Sequence, residues 1–248
     1  MKIALIGYGK MGRMIEKIAL DRGHDIVAVI DHDNRELMDG ETFGSADVAI
    51  EFTRPDAARE NVLRCFERGV PVVCGTTGWN AGLPEMERLC EDGKGTLMQA
   101  SNFSVGVNIF MALNRYAAEI MNAFPQYHAS MEEVHHIHKL DHPSGTAVTL
   151  AENIIGVSDR LGSWAEPEGE SLAENVLPIS HERRGEVPGI HSVTWDSAQD
   201  SITLTHSAKG REGFALGAVL AAEWLADKQG FRKIDEMYDQ IISKPTSR

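Results

Sequence analysis

Chemically reactive side chains are concentrated between Glu133 and Ala147. Four of the ten histidines fall in the eight positions from His135 to His142, and Lys139 lies among them. An imidazole titrates near neutral pH, which suits proton transfer, and a lysine supplies a fixed positive charge, or an ammonium proton when its pKa is lowered. This combination favours an acid/base and anion-binding site.

Two other interpretations of this histidine segment remain open. Histidine is a common metal ligand, but closely spaced histidines usually need a carboxylate or a cysteine to complete the shell, and the HExxH pattern is absent. The segment is also compatible with a structural or solvated polar loop. We favour the acid/base interpretation and expect no metal ion.

A helix is predicted to begin directly after the histidine segment. Ser144 is a suitable N-cap, and the first amides of the helix, at Gly145 and Thr146, together with the Thr146 hydroxyl, would make a pocket for a carboxylate. The predicted apolar face of this helix consists of Ala147, Leu150, Ala151, Ile154 and Ile155.

A glycine-rich turn near the N-terminus predicts a dinucleotide site. The run Gly7-Tyr8-Gly9-Lys10-Met11-Gly12 matches GxGxxG, follows the apolar residues 3–6 and precedes a helical pattern. The first glycine permits a tight turn, the second lets the backbone approach a pyrophosphate, and the third lets helix and strand pack closely. The start of the helix offers unpaired amides and a positive dipole to the phosphates.

An acidic residue follows at the distance expected for ribose binding. Asp31 ends a predicted strand and lies 19 residues after Gly12, close to the spacing of about 20 in dinucleotide-binding proteins. A carboxylate here accepts hydrogen bonds from ribose hydroxyls and repels a 2′-phosphate. By default His32 is a surface residue, although a protonated His32 can contact a 2′-phosphate. We therefore expect NADH, NADPH or both; a turn without a ligand is the alternative.

Two later segments follow predicted strands and are rich in small polar residues. They are Gly75-Thr76-Thr77-Gly78 and Ala100-Ser101-Asn102-Phe103-Ser104. Ligands of doubly wound sheets lie outside the carboxyl ends of the strands, where such residues can cradle a nicotinamide ring and its carboxamide. Ordinary turn chemistry explains the same composition equally well.

Strands and helices alternate in the first hundred residues. The predicted strands are 2–6, 26–30, 47–52, 70–74 and 96–99, and the predicted helices are 11–20, 56–68 and 83–90, with Pro55 suited to a first helical position. This alternation favours a parallel sheet covered on both faces.

The pattern changes after Phe103. A long helix is predicted over 105–121, where Ile109, Leu113, Tyr116 and Ile120 recur at helical spacing, and a hairpin is predicted from strands 190–195 and 201–207. Residues 156–178 resemble an exposed loop, and 214–226 and 231–242 have helical patterns. This pattern predicts an α/β fold with a Rossmann-like doubly wound parallel sheet in a nucleotide-binding half, followed by an α+β half. It leaves open whether the last helices return to the first half.

Composition narrows the class of protein. The formal net charge is −13, which argues against a nucleic-acid partner because phosphate binding needs clustered lysine and arginine. The apolar runs are too short for a membrane helix, which needs about 20 residues, and no signal peptide is evident. The three cysteines form no CxxC pair, so we expect free thiols and a cytoplasmic protein.

Taken together, these residues resemble the 4-hydroxy-tetrahydrodipicolinate reductase (dihydrodipicolinate reductase) family over nearly the whole chain. The most specific part is the segment from Glu133 to Ala147, which is similar to the family pattern E-x-H-H-x-x-K-x-D-x-P-S-G-T-A. The N-terminal glycines, Gly75-Thr76-Thr77-Gly78 and Asn102-Phe103-Ser104-Val105-Gly106-Val107 agree in order and spacing.

The resemblance implies that NAD(P)H reduces a cyclic α,β-unsaturated imine dicarboxylate to tetrahydrodipicolinate, in lysine and diaminopimelate biosynthesis. It implies His135 as the acid/base residue, Lys139 as the proton donor and His136 as a substrate contact. Gly145 and Thr146 would hold a substrate carboxylate, and we add Ser144 to this set. The implied cofactor contacts are Gly7, Tyr8, Gly9, Lys10, Met11, Gly12, Asp31, Gly75, Thr76, Thr77, Ala100, Ser101, Asn102 and Phe103. The resemblance also implies a dinucleotide-binding domain (1–105 and 215–248) and a second α+β substrate-binding and oligomerisation domain with a mixed sheet (106–214). It further implies a homotetramer built through the sheet of the substrate domain, and domain closure over both ligands.

Two other functions compete with this one. A different two-domain dehydrogenase, such as an amino-acid or aspartate dehydrogenase, is disfavoured by the His-His-x-x-Lys and Ser-Gly-Thr runs. A non-enzymatic NADH sensor would need a partner module, and none is visible. The role of Arg211 is left open between a position near the cofactor, one at the domain hinge and one in a solvated loop. The segment from Arg183 to Gly189 is left open between a substrate contact and a turn.

Overall fold

The computed structural model describes residues 1–167, 169 and 172–243, without the side chains of residues 242 and 243. Residues 168, 170, 171 and 244–248 of the ranges predicted above lie outside this description. The chain divides into two compact units, one formed by Met1–Val105 with Arg211–Arg248 and the other by Gly106–Gly210. Among the described residues, no helix combines the length and apolar character needed to cross a membrane.

The first unit contains a parallel sheet of six strands. The strands are β1 (Lys2–Ile6), β2 (Asp25–Ile30), β3 (Val48–Glu51), β4 (Val72–Cys74), β5 (Thr96–Gln99) and, later in the chain, β11 (Gly230–Arg232). Their order across the sheet is β11-β5-β4-β3-β1-β2, and every pair is parallel. The chain therefore winds in one direction from β1 to β2 and in the other from β3 onward. This reversal between β1 and β3 is the feature that locates ligand sites in doubly wound folds.

Helices cover both faces of this sheet. They are α1 (Lys10–Asp21), α2 (Glu41–Gly44), α3 (Pro55–Glu67), α4 (Leu83–Glu91), α7 (Glu212–Leu225) and α8 (Ile234–Ser243). Alternate residues of a strand point to opposite faces, so Ile3 and Leu5 of β1 belong to one core cluster while Ala4 and Ile6 belong to the other. The five strands, the three helices and the position of Pro55 predicted for the first hundred residues are confirmed within a few residues at their ends.

The second unit is an α+β fold with a mixed sheet of five strands. Its elements are α5 (Val105–Met121), which begins at the unit boundary, β6 (His128–His135), α6 (Gly145–Ile155), β7 (Ser163–Ala165), β8 (Val176–Arg183), β9 (Ile190–Asp196) and β10 (Ser201–Ser207). The strand order is β10-β9-β6-β8-β7, with β6, β8 and β7 parallel and β9 and β10 antiparallel to their neighbours. The predicted hairpin of β9 and β10 is confirmed.

Three local expectations were wrong or incomplete. Residues 231–242 are not helical throughout, because Gly230–Arg232 pair with β5 as an edge strand before α8 begins. The segment 156–178 is not only a loop, since it contains β7 and the start of β8. The predicted helix α5 exists, but its recurring residues Ile109, Leu113, Tyr116 and Ile120 are 44 to 64% exposed, while Phe110, Ala118 and Met121 enter the core.

Candidate active site

The glycine-rich turn connects β1 to α1 in the first unit. Gly7 has a φ of +95°, which glycine adopts without steric cost, and its amide donates to the Ile30 carbonyl oxygen at 2.8 Å. A Cβ atom on Gly12 would lie 2.1 Å from the Gly7 carbonyl oxygen, so this position requires glycine. The tight turn and close packing predicted for these two glycines are confirmed. A Cβ atom on Gly9 would meet no atom within 4 Å, which leaves space beside the backbone for a ligand.

A cavity of about 440 Å³ opens beside this turn, within the first unit. Its walls include Gly7, Tyr8 and Gly9 after β1, Asp31 and His32 after β2, and Phe52 and Thr53 after β3. It therefore lies at the strand reversal of the sheet, and its volume is in the range of small-ligand sites. Lys10, Met11 and Gly12 form the first turn of α1, whose amides point toward its N-terminus. The residues present fit the nucleotide part of a dinucleotide.

The cavity is also lined by polar residues that were not predicted from the sequence, among them Arg35 and Asn61. The Arg35 guanidinium donates to Asn61 Oδ1 at 3.1 Å and lies 3.1 Å from a Glu60 carboxylate oxygen. Asp31 and Arg35 thus bring opposite charges to one cavity, and a carboxylate favours ribose hydroxyls whereas an arginine favours a 2′-phosphate. The signal available in the sequence was an arginine four residues after Asp31.

A buried carboxylate fixes one of the predicted cofactor residues. Glu51 at the end of β3 is fully buried and accepts hydrogen bonds from the Thr76 hydroxyl at 2.6 Å, the Asn61 amide at 3.1 Å, the Cys74 thiol at 3.1 Å and the Thr53 hydroxyl. Burial, with the nearby Glu51 charge, raises the pKa of the Cys74 thiol well above its usual value, so the thiol stays protonated. Glu51 therefore holds Thr76 at the strand ends. Cys65, Cys74 and Cys90 are all free, as predicted.

The two segments proposed for the nicotinamide follow adjacent strands. Gly75, Thr76 and Thr77 follow β4, and Ala100, Ser101, Asn102 and Phe103 follow β5, which pairs with β4. Thr77 and Ser101 are exposed and Asn102 is half-buried. The Phe103 side chain lies in the core, with its ring centroid 5.9 Å from that of Phe52. Ala100 is also buried, so the exposed Thr77 and Ser101 are the side chains of these segments best placed to meet a ligand.

In the second unit, the end of β6 places Glu133 and His135 on the same face of the strand. Both Glu133 oxygens lie 3.1 Å from the Ser144 amide, and an Arg183 nitrogen lies 3.4 Å from one of them. His135 Nδ1 is 3.5 Å and His191 Nε2 is 3.7 Å from the carboxylate. Burial acts to raise the pKa of Glu133, but the hydrogen bonds from His191 and Ser144 outweigh it and lower the pKa to about 2. Glu133 is therefore a buried anion.

The predicted acid/base residue is neutral in the free site. Burial lowers the pKa of His135 to about 4; the Glu133 charge opposes this effect, and the charges of His191, Lys139 and Arg183 reinforce it. This corrects the expectation of an imidazole that titrates near neutral pH. Negative charge brought close to the ring would raise this pKa again. His136, the next residue, is half-buried, and its carbonyl oxygen accepts the Lys139 amide at 3.1 Å.

The loop that carries Lys139 is held by an arginine from β8. Lys139 Nζ lies 2.7 Å from both carboxylate oxygens of Asp141. Arg183 Nε donates to the Lys139 carbonyl oxygen at 3.1 Å, and Arg183 Nη2 donates to the Asp141 carbonyl oxygen at 2.6 Å. The sequence analysis left Arg183 open between a turn and a substrate contact. Arg183 fixes the backbone of this loop and contacts Glu133 at the same time.

The predicted carboxylate pocket begins at a capped helix start. The Ser144 hydroxyl accepts the Ala147 amide at 3.2 Å, which confirms Ser144 as the N-cap of α6. Gly145 is exposed and Thr146 half-buried at this end. His191 Nε2 lies 3.2 Å from the Ser144 hydroxyl oxygen. His191 was missed because it lies on β9, far from this segment along the chain.

The candidates form two sets that differ in chemistry. All predicted cofactor residues lie in the first unit, around glycine-lined space and strand ends. All predicted catalytic and substrate residues lie in the second unit, where a neutral imidazole, an ammonium group and a helix start occupy one connected segment. The second set can bind an anion and exchange a proton.

Family models cover almost the entire chain. The model described as "Dihydrodipicolinate reductase, N-terminus" matches residues 1–103, and "Dihydrodipicolinate reductase, C-terminus" matches residues 106–239. A 4-hydroxy-tetrahydrodipicolinate reductase of Christiangramia forsetii is 46% identical over 244 residues, covering 98% of this chain and 99% of the relative. The reductase of Archaeoglobus fulgidus is 38% identical over 262 residues, covering 96% of this chain and all of the relative.

Solved structures share the fold. A dihydrodipicolinate reductase from Paenisporosarcina sp. TG-14, solved with dipicolinate, gives a TM-score of 0.74 at 24% identity and covers 94% of this chain and 97% of its own. An amine dehydrogenase from Mycobacterium smegmatis gives 0.60 at 13% identity, covering 94% and 95%, which is a likeness of fold alone. With both family models matched and two reductases more than 30% identical over nearly their full lengths, this chain belongs to the dihydrodipicolinate reductase family.

Proposed function

We propose that this chain catalyses the NAD(P)H-dependent reduction of 4-hydroxy-tetrahydrodipicolinate, via dihydrodipicolinate, to tetrahydrodipicolinate in lysine and diaminopimelate biosynthesis. The observation that carries the proposal is the full-length match to 4-hydroxy-tetrahydrodipicolinate reductases. The arrangement of Glu133, His135 and Lys139 beside the start of α6 supports it, because a cyclic imine dicarboxylate needs an anion site and a source of protons.

The cofactor residues are proposed to be those of the first unit. Gly7, Tyr8, Gly9, Lys10, Met11 and Gly12 would bind the pyrophosphate, Asp31 the adenosine ribose, and Gly75, Thr76, Thr77, Ala100, Ser101, Asn102 and Phe103 the nicotinamide end. When bound, the reduced nicotinamide supplies a hydride. The presence of both Asp31 and Arg35 in the cavity supports use of NADH and NADPH.

The remaining steps belong to residues of the second unit. Gly145 and Thr146, with Ser144 as cap, would bind one substrate carboxylate at the positive end of α6. Lys139 would exchange Asp141 for the substrate and donate the proton that completes the reduction. His135, 3.5 Å from the buried Glu133, would accept or donate a hydrogen bond at the ring, with His136 beside it. This chemistry requires no metal ion, since hydride, proton and charge stabilisation all have other sources.

We also propose a cytoplasmic homotetramer without nucleic-acid or membrane partners. The net charge of −13 supports the absence of a nucleic-acid partner, and three free buried thiols support a reducing compartment. Exposed Ile109, Leu113, Tyr116 and Ile120 on α5 support self-association, because contiguous apolar surface marks contact sites. Sedimentation equilibrium should give four times the chain mass of 27.2 kDa; a monomer would contradict the assembly.

The activity is tested by following NADH and NADPH oxidation with substrate generated in situ from pyruvate and aspartate semialdehyde. Oxidation should depend on both precursors and on this protein. Oxaloacetate with ammonia is the matched control for an aspartate dehydrogenase. Turnover with oxaloacetate and none with the generated substrate would overturn the proposal.

A further inference from the structure

A second group of histidines lies outside the residues assigned to the reduction. His142 Nδ1 is 2.9 Å and His181 Nδ1 is 2.8 Å from the same oxygen of Glu166. The two imidazole rings are stacked, with centroids 4.1 Å apart and planes inclined by 20°. One oxygen and two ring nitrogens therefore converge on one point, and all three atoms lie within 4.8 Å of one another.

The backbones that carry these side chains are fixed by separate contacts. His181 lies within β8, and Glu166 directly follows β7, which pairs in parallel with β8. His142 follows Asp141, whose carbonyl oxygen accepts a hydrogen bond from Arg183 at 2.6 Å. The three side chains are therefore held close together before any ion binds. Such pre-organised ligands favour metal binding because little rearrangement is needed.

Without an ion, the Glu166 carboxylate can accept a hydrogen bond from the Nδ1–H of each imidazole, since a carboxylate oxygen has two lone pairs. A divalent ion instead uses both nitrogen lone pairs and the carboxylate. Ligands around tetrahedral Zn²⁺ are about 3.3 Å apart for bonds of about 2.0 Å, so small side-chain rotations would admit the ion.

The chemistry of the donors selects the ion. Imidazole suits zinc, copper and nickel, and two histidines with one carboxylate leave a fourth position for water. The side chains of His142 and His181 are 48% and 34% exposed, so an ion reaches them from solvent. A second cluster with suitable spacing, Glu133 with His135 and His191, differs because its carboxylate is fully buried and already engaged by Ser144 and Arg183.

We propose that His142, Glu166 and His181 form a binding site for a divalent transition-metal ion, with Zn²⁺ as its best match. The site ties the loop before α6 to strands β7 and β8. It is separate from the proposed reduction and would exist whether or not that function is correct.

The test uses the full chain without a histidine tag, stripped of metal with a chelator. Titration with Zn²⁺ by calorimetry should show one ion per chain, and Co²⁺ should give the visible absorption of a tetrahedral complex. His142→Ala, Glu166→Gln and His181→Ala should each weaken Zn²⁺ binding by at least about tenfold. Zn²⁺ should also raise the Tm of the parent protein and not that of His181→Ala, since a ligand stabilises only the state it binds.

Two control variants keep the result specific. His138 forms a comparable pair with Glu186, at 3.0 Å, but among the described residues this pair belongs to no group of three possible ligands, so His138→Ala should bind Zn²⁺ like the parent. His135→Ala should also bind it normally. Absence of a stoichiometric site, loss of binding in His135→Ala, or equal affinity in the parent and the His142, Glu166 and His181 variants would overturn the proposal. Circular dichroism confirms that each variant is folded.

Discussion

The ammonium group of Lys139 lies 2.7 Å from both carboxylate oxygens of Asp141. The two residues belong to one loop, and Arg183 binds the carbonyl oxygen of each. The charge proposed to act on the substrate therefore has a local partner in the free protein. A substrate that carries carboxylates can compete with Asp141 for this ammonium group because it offers the same kind of acceptor.

Replacement of Lys139 should affect turnover and not cofactor binding. Lys139→Ala removes the proposed proton donor, so we expect kcat to fall about 10²- to 10⁴-fold. The Kd for NADH should stay unchanged, because the proposed cofactor residues lie in the other unit. Steady-state kinetics and fluorescence titration measure the two quantities. Lys94, paired with Asp92 at 3.0 Å on the surface of the first unit, is the matched control; equal loss in Lys94→Ala, or near-normal turnover in Lys139→Ala, would refute the role.

The buried histidine predicts how stability changes with pH. His135 has a pKa of about 4 in the folded protein, whereas the pKa of a solvated histidine is 6.5, so the unfolded chain binds the proton first. The free energy of unfolding should therefore fall as the pH is lowered from about 6.5 to 4, by up to about 3 kcal/mol from this residue. Glu133, with a pKa of about 2 against an ordinary value of 4.5, extends the loss below pH 4.5.

Urea unfolding of His135→Asn checks this prediction. Each protein is compared with its own value at pH 8, which removes the constant cost of the substitution. The variant should lose less stability between pH 6.5 and 4 than the parent. It should retain some pH dependence, because burial also lowers the pKa of His206. Parallel curves for the two proteins would show that His135 is not protected from protonation.

The charges of the nucleotide cavity should set the preference between NADH and NADPH. Asp31→Ala should weaken NADH more than NADPH, since it removes the ribose acceptor and the repulsion of a 2′-phosphate. Arg35→Ala should weaken NADPH more than NADH, about tenfold for one charged hydrogen bond. Competitive titrations with both cofactors give the ratio. Asp33 is an exposed neighbour paired with His32 and serves as the control; equal losses of both cofactors in Asp31→Ala would place Asp31 away from the ribose.

The start of α6 should determine substrate affinity. Thr146→Val should raise the substrate KM about tenfold with little change in kcat, because it removes a contact made equally to substrate and transition state. Thr149 lies one turn further along the same helix, where its hydroxyl donates to the Gly145 carbonyl oxygen at 2.9 Å. Thr149→Val should have a normal KM. An unchanged KM in Thr146→Val would move the carboxylate site elsewhere.

The Glu51 network should contribute strongly to the stability of the first unit. Glu51→Ala leaves the buried donors of Thr76, Asn61 and Cys74 without their acceptor, so we expect a loss of at least about 3 kcal/mol in urea unfolding. Glu60→Ala removes an exposed carboxylate that pairs with Arg35 and Arg64 and should cost less than about 1 kcal/mol. Similar losses in the two variants would contradict the importance of the buried network.

Local patterns predicted most of the elements around the site. The apolar run that ends before Gly7 predicted β1, and the apolar run that ends before Asp31 predicted β2. Ser144 was recognised as a cap because capping depends on a side chain and an amide three residues apart. Helical spacing of apolar residues predicted α5 but not which side of it faces the core. Both sides of that helix carry apolar residues, and in the structure Phe110 is buried whereas Leu113 is exposed.

The partners of the site residues were not predictable in this way. Glu133 meets Arg183 and His191, which lie on β8 and β9, and Glu51 meets Thr76 after β4. Strand β11 was assigned to a helix because three residues carry too little periodicity to reveal pairing with β5. Each of these contacts depends on the order of the strands in the sheet and not on residues that are close together in the sequence.

The sequence by itself determined the two kinds of chemistry in this protein, a glycine-rich turn for a nucleotide and a histidine–lysine segment before a capped helix. Both depend on residues within a few positions of each other, where backbone geometry is set by local sterics and hydrogen bonds. The tertiary structure decided the ionisation of His135, the anchoring of Lys139 by Arg183, and the convergence of His142, Glu166 and His181. These properties arise from burial and from charges brought together by strand pairing, which act through space between distant parts of the chain.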